Sequence, residues 1–134
     1  MNIGTYRIGE IYLMKFEGSG SVQNGWRPGI ILSNNTGNNH SPNVLAVPLT
    51  TSLKKLGQPT HVVIPNKTGL KYNSMALCEC ITTLSKENIG EYITTLPNEY
   101  MGEVTMAALL ALGCLSFVSL DEVATAKEKT VSLN

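Results

Sequence analysis

Arg27 begins the stretch Arg27-Pro28-Gly29 just after a loop of Gly, Ser and Asn, and Thr50-Thr51-Ser52 follows a separate apolar run. A guanidinium presents five donors and keeps its charge at any ordinary pH, which suits it to phosphate and to charge developing on phosphorus. Hydroxyls at the end of a strand could reach the same group. Other chemistries fit less well. Cys78 and Cys80 stand two apart in an expected strand, so both thiols would point to one face and Glu79 to the other. A zinc site needs further ligands, and Cys114, His40 and His61 complete no ligand spacing, so inert buried thiols and no metal are expected. There is no Gly-x-Ser-x-Gly elbow and no phosphate loop, and the only Asp, Asp121, lies in a polar tail. His61 reads as an ordinary strand residue and His40 as part of an Asn-rich loop. Carboxylates paired for glycosidic acid–base work are missing from the basic two-thirds of the chain.

The elements that must position Arg27 and Thr50 read as short strands. Gly9–Phe16 is rich in apolar, aromatic and β-branched residues and stops at Glu17-Gly18-Ser19-Gly20. A loop over Gly18–Gly25 leads into a strand at Arg27–Ser33, with Pro28 near its start, where a missing N–H is tolerated. Asn34–Asn43, in which five of ten residues are Asn, reads as an elaborated loop held by local side-chain hydrogen bonds. Val44–Leu49 resumes a strand, with Pro48 marking an edge, a bulge or its end. A polar connection over Thr50–Pro59 carries Lys54-Lys55. Thr60–Ile64 and a long Ser74–Leu84 are further strands, Ser85 caps a turn, and Glu91–Leu96 is the last strand.

The period then changes. Met101, Val104, Ala108, Leu112 and Leu115 recur at three- and four-residue steps, predicting an amphipathic helix over Asn98–Gly113. Asn98 is placed to cap it and Gly113 to close it, while Gly102 weakens it by about 1 kcal/mol relative to Ala. Residues 119–134 read as a frayed polar helix and a loose end. Five or six strands and one helix imply a mainly β fold with a C-terminal α-helix, an antiparallel barrel or strongly bent sheet with its chemistry on loops.

Composition bounds the rest. The chain has 134 residues, 43% of them apolar and 15% charged, which fits one globular domain and excludes disorder. No apolar run reaches the ~20 residues of a membrane span, so no membrane partner is expected. An odd count of three cysteines suggests reduced thiols and a cytoplasmic protein. Net charge is zero, yet residues 1–75 carry seven basic and two acidic side chains, and no carboxylate occurs between Glu17 and Glu79. Such a stretch suits a polyanion; an acidic C-terminal helix face is the alternative account of the same asymmetry.

The order of motifs resembles the MazF/PemK-type toxins of toxin–antitoxin systems, which share a fold with the CcdB gyrase poison. The resemblance runs through Gly9-Glu10-Ile11-Tyr12, Ser21-Val22-Gln23-Asn24-Gly25, Arg27-Pro28, Ile30-Ile31-Leu32-Ser33-Asn34 and Gly37-Asn38. It continues through Ser41-Pro42, Val47-Pro48-Leu49-Thr50, Pro59-Thr60-His61-Val62, Gly69-Leu70, Glu79-Cys80-Ile81 and Glu99-Tyr100-Met101. It covers about residues 8–113 of a single domain, leaving 114–134 as a polar extension. It implies a small SH3-like β-barrel capped by a C-terminal helix, usually a homodimer. The implied activity is metal-independent, cofactor-free cleavage of single-stranded RNA through the ribose 2′-OH, with Arg27 and Thr50 as the catalytic pair.

Loop residues Ser21, Gln23, Asn34, Thr51, Ser52, Lys54 and Cys80 are candidates for contact with RNA, as single-stranded recognition requires exposed donors and acceptors. Trp26 is a candidate to stack a base or to pack in the core or a dimer contact. The implied partners are single-stranded RNA and a cognate antitoxin, with DNA contact only through the antitoxin complex. The chain departs from the family pattern at Val22, Cys80 and Thr82. The alternative reading is a non-catalytic binder on the same fold, either a gyrase poison or an inactive homologue.

Overall fold

A computed structural model describes residues 6–17, 25–54 and 56–133, with side chains through 128. Seven strands are joined in an antiparallel sheet: β1 (Glu10–Phe16), β2 (Gly25–Ile31), β3 (Asn43–Thr50), β4 (His61–Ile64), β5 (Ser74–Leu77), β6 (Thr82–Ser85) and β7 (Ile89–Thr95). Their order is β4-β5-β3-β2-β1-β7, and β6 also pairs with β3. Three α-helices accompany them: α1 (Asn35–His40), α2 (Asn98–Leu112) and α3 (Leu120–Leu133). No helix among the described residues is long and apolar enough to cross a membrane.

β3 organises the sheet. One edge carries β2, while the other is shared, β6 pairing with Asn43–Ala46 and β5 with Leu49–Thr50. Pro48 falls between those two segments, where the outer edge changes partner. Of the three roles open to this proline, the strand's end is excluded: it is buried inside β3, which runs on to Thr50.

Alternation along the strands builds two cores. Ile11, Ile30, Val47, Leu49, Val62, Ile64 and Ala76 face the side covered by α2, where Val104, Ala107 and Ala108 close the packing. Tyr12, Met14, Phe16, Ile31, Val44, Ala46 and Leu84 pack on the opposite side. Gly29 is needed there. A Cβ on it would stand 2.6 Å from Met14 Sδ and 2.8 Å from Phe16 Cζ, so its bare backbone lets those two side chains cross the sheet.

Several expectations are corrected. The long strand over Ser74–Leu84 is two strands, β5 and β6, broken at residues 78–81, where Cys78 N–H donates to Thr60 O and Cys80 N–H to Leu77 O. Cys78 and Cys80 therefore do not share a face. Cys78 lies in the α2-side core, whereas Cys80 packs against the opposite one. The Asn-rich loop holds α1: Asn34 Oδ1 accepts from Gly37 N–H at 2.8 Å, and the buried Asn38 amide donates to Ser33 O at 2.8 Å. The local bonding that suggested a loop instead caps and anchors a short helix.

At α2 the cap position is Pro97, without a side-chain cap, and not Asn98. Gly113 closes the helix as expected, with φ +67°. The apolar stripe is buried at Val104 and Ala108, but Leu112 and Leu115 are exposed. The tail is no loose end: it forms α3, a helix of 14 residues. Ser85 does cap its turn, accepting from Glu87 N–H.

Candidate active site

Arg27 belongs to β2, where it pairs with Met14 of β1. Thr50 is the last residue of β3. The β2–β3 register sets Ile31 against Ala46, Ile30 against Val47 and Gly29 against Pro48. Arg27 and Thr50 each lie two residues beyond this last paired rung, at adjoining ends of the two strands. Residues two apart along a strand share a face, so Arg27 points with Ile31 and Thr50 with Ala46, to one and the same side of the sheet. That face is the one away from α2, as the partners Met14, Ile31 and Ala46 show. Both residues are partly exposed, so a substrate can reach them.

Sequence alone could not show this shared face, because 22 positions separate the two residues and the intervening chain includes α1. Thr50 Oγ1 accepts a hydrogen bond from Ser52 N–H at 3.1 Å. That bond fixes the turn after β3 and leaves the hydroxyl proton to donate elsewhere.

The other candidates divide. Thr51, Ser52 and Lys54 follow Thr50 directly and are exposed. Cys80 is half-buried at the β5–β6 corner, against the core on the Arg27 side. Asn34 lies past the opposite end of β2 from Arg27, and its side-chain oxygen is committed to the α1 cap. Ser21 and Gln23 lie outside the described residues. Trp26 adjoins Arg27 in β2, so its side chain takes the opposite face; it is half-exposed and stands over Gly90.

His61 is more than a passive strand residue. Its Nε2 lies 2.6 Å from Glu79 Oε2, with the imidazole almost wholly buried and Nδ1 sealed from solvent without a protein partner. Both nitrogens are therefore out of reach as a base for a bound substrate. Burial, reinforced by Glu79 and Cys80, pushes the Cys78 thiol up to about 12, so it stays protonated and unreactive near neutrality. No group of three or more His, Cys, Asp or Glu side chains that could hold a metal ion occurs among the described residues.

One constellation escaped the sequence reading. Tyr6, Tyr12 and Tyr92 form a chain of edge-to-face rings, with centroids 5.0 and 5.5 Å apart, beside a cavity of about 350 Å³. Lys86 lines the same cavity, its Nζ 5.8 Å from the centre of the Tyr6 ring and donating to Asn38 O at 2.6 Å. These residues come from the chain before β1, from β1, from the turn after β6 and from β7, and no local pattern joins them.

The fold is that of a small mainly β protein, a bent antiparallel sheet that carries a guanidinium and a hydroxyl on one accessible face of neighbouring strands. The chain matches the family of PemK-like, MazF-like toxins of type II toxin–antitoxin systems over residues 7–112, and it belongs to that family. It is 39% identical over 113 residues to the Endoribonuclease MazF of Staphylococcus epidermidis, an alignment covering 83% of this chain and 94% of that one. Among solved structures it is similar to an endoribonuclease from a mycobacterial species in complex with its cognate antitoxin. There the identity is 28% and the TM-score 0.70, covering 81% of this chain and 96% of that one. The MazF of Deinococcus radiodurans shares the fold, at 24% identity and a TM-score of 0.70, over 81% of this chain and 96% of that one.

Proposed function

We propose that this protein is the toxin of a type II toxin–antitoxin system and acts as an endoribonuclease on single-stranded RNA. The observation that carries the reading is the placement of Arg27 and Thr50 on one accessible face, at adjoining ends of β2 and β3, in a chain of the MazF-like family. The 39% identity to a named endoribonuclease supports the same activity.

The reaction is transesterification. The ribose 2′-oxygen attacks phosphorus as its proton passes to water, the bond from phosphorus to the 5′-oxygen breaks, and the products carry a 2′,3′-cyclic phosphate and a 5′-hydroxyl. Substrate supplies the nucleophile, so neither an activated side chain nor a metal ion is needed. Arg27 holds the scissile phosphate and stabilises the charge that grows on its oxygens in the transition state. Thr50 donates its hydroxyl proton to the same phosphate and fixes its orientation. A guanidinium is a poor base, so Arg27 acts as an electrophile and as proton donor to the leaving 5′-oxygen, with solvent restoring its proton. Thr51, Ser52 and Lys54 extend the site along the RNA.

The partner in the cell is an antitoxin that occupies this face, and DNA is met only through that complex. The working form is a cytoplasmic homodimer. Mixed-sequence single-stranded RNA incubated with the purified protein in EDTA tests the reading. Discrete fragments ending in cyclic phosphate are expected. Intact RNA together with inhibited DNA supercoiling would replace this reading with that of a gyrase poison.

A further inference from the structure

The sheet face that carries Arg27 continues beyond it. Arg27 pairs with Met14 of β1, and Met14 with Ile89 of β7. In the adjoining row Gly29 pairs with Tyr12, and Tyr12 with Tyr92. Strands in a sheet are about 4.8 Å apart and rise about 3.3 Å per residue, so Tyr12 and Tyr92, one and two strands over and two residues along, lie roughly 8–12 Å from the backbone of Arg27. Between them stand Met14, fully buried, and Gly29, which carries no side chain. The Met14 and Phe16 side chains close over that bare backbone, so the apolar face continues to the tyrosines.

From this geometry we propose that the pocket formed by Tyr6, Tyr12, Tyr92 and Lys86 binds a nucleobase of the RNA strand, one flanking the phosphodiester that Arg27 holds. The proposal rests on the ribonuclease reading and adds to it a subsite for the neighbouring base. Four observations support that occupant. Tyr92 is half-exposed, and its edge-to-face contact with Tyr12 leaves ring surface open to the cavity; an open aromatic face on a sheet is what an unstacked base requires. Lys86 has three N–H donors, of which Asn38 O takes one, leaving donors for a base edge or an adjoining phosphate. Glu87, also lining the cavity, offers an acceptor to the amino group of a base. The other carboxylate nearby, Glu10, is occupied: its Oε1 accepts from the Tyr12 hydroxyl at 3.1 Å and from Arg7 N–H at 2.6 Å. Burial and that carboxylate also hold the Tyr12 phenol protonated, so the pocket wall brings no phenolate against RNA.

The subsite makes Tyr92 a specificity-determining residue. The test uses the full chain and an oligoribonucleotide containing its mapped cleavage site, with 2′-deoxyribose at the scissile nucleotide to remove the attacking hydroxyl. Fluorescent 2-aminopurine replaces each flanking base in turn. One position is expected to be quenched on binding. Tyr92→Ala should abolish that quench and weaken binding by about tenfold, the effect of losing one aromatic stack, while Tyr92→Phe restores both.

Quenching that survives Tyr92→Ala, or a bound oligonucleotide with no quenched position, overturns the proposal. So does a Tyr92→Ala chain that binds RNA normally but changes its oligomeric state, which would assign the pocket to a second copy. Retained thermal unfolding of Tyr92→Ala excludes a folding artefact. The fate of the cleavage reading is read separately. If Arg27→Ala still cuts ordinary RNA while the quench behaves as stated, the catalytic pair falls and the base subsite stands.

Discussion

Arg27 and Thr50 contribute different things, and substitutions separate them. Arg27→Lys keeps a positive charge but loses the planar fork that grips two phosphate oxygens. Cleavage, followed on a labelled oligoribonucleotide, should fall roughly a hundredfold or more, as when a transition-state donor is removed, with thermal unfolding unchanged. Thr50→Val keeps the shape and removes the hydroxyl. The expected loss is about ten- to a hundredfold, the worth of one hydrogen bond to a charged group at ~1.5–3 kcal/mol. Full activity in Arg27→Lys would remove the proposed mechanism. The cysteines give a test independent of RNA. Iodoacetamide at neutral pH should label the exposed Cys114 and spare Cys78, which is buried and whose thiol is pushed up to about 12. Alkylated Cys78 in the native protein, found by peptide mass spectrometry, would contradict its place in the core.

Among the elements, two glycines predict opposite outcomes. Gly29→Ala drives a methyl into Met14 and Phe16 beneath the site, and should lower stability by about 1–3 kcal/mol in urea unfolding. Gly102, in the middle of α2, has nothing within 4 Å of a Cβ, so Gly102→Ala should raise stability by up to about 1 kcal/mol. The same elements show what the sequence could reveal. Strands β1 to β4, β7 and helix α2 were legible because alternation, turn residues and a helical period are local signals. The break between β5 and β6 was not. Residues 74–84 read as one apolar run, and only the sharing of the β3 edge requires it to bend at Cys78–Ile81. Helix α1 was hidden by its own asparagines, which serve a cap and a loop equally well. Arg27 and Thr50 were each identifiable by residue type, but their shared face depends on how β2 and β3 pair, a property of two strands together. The tyrosine pocket was invisible because four separate segments build it.

For the whole molecule, the C-terminal region is the least integrated part. The family match ends at residue 112, and every described side chain of α3 is exposed. Deleting residues 120–134 should therefore change the stability of the remaining chain by less than about 1 kcal/mol, measured by urea unfolding. A larger loss would show that α3 supports the sheet. The opposite end of the sheet is tied much more tightly. β1 lies between β2 and β7, and Glu10 pairs with Thr95, so one edge of the first strand is supplied by the last. During synthesis on a ribosome, that edge stays open until nearly the whole β region has emerged. The nascent chain consequently cannot complete its sheet until β7 has left the ribosomal exit, and a cell making this protein carries an unfinished edge throughout the synthesis of β2 to β6.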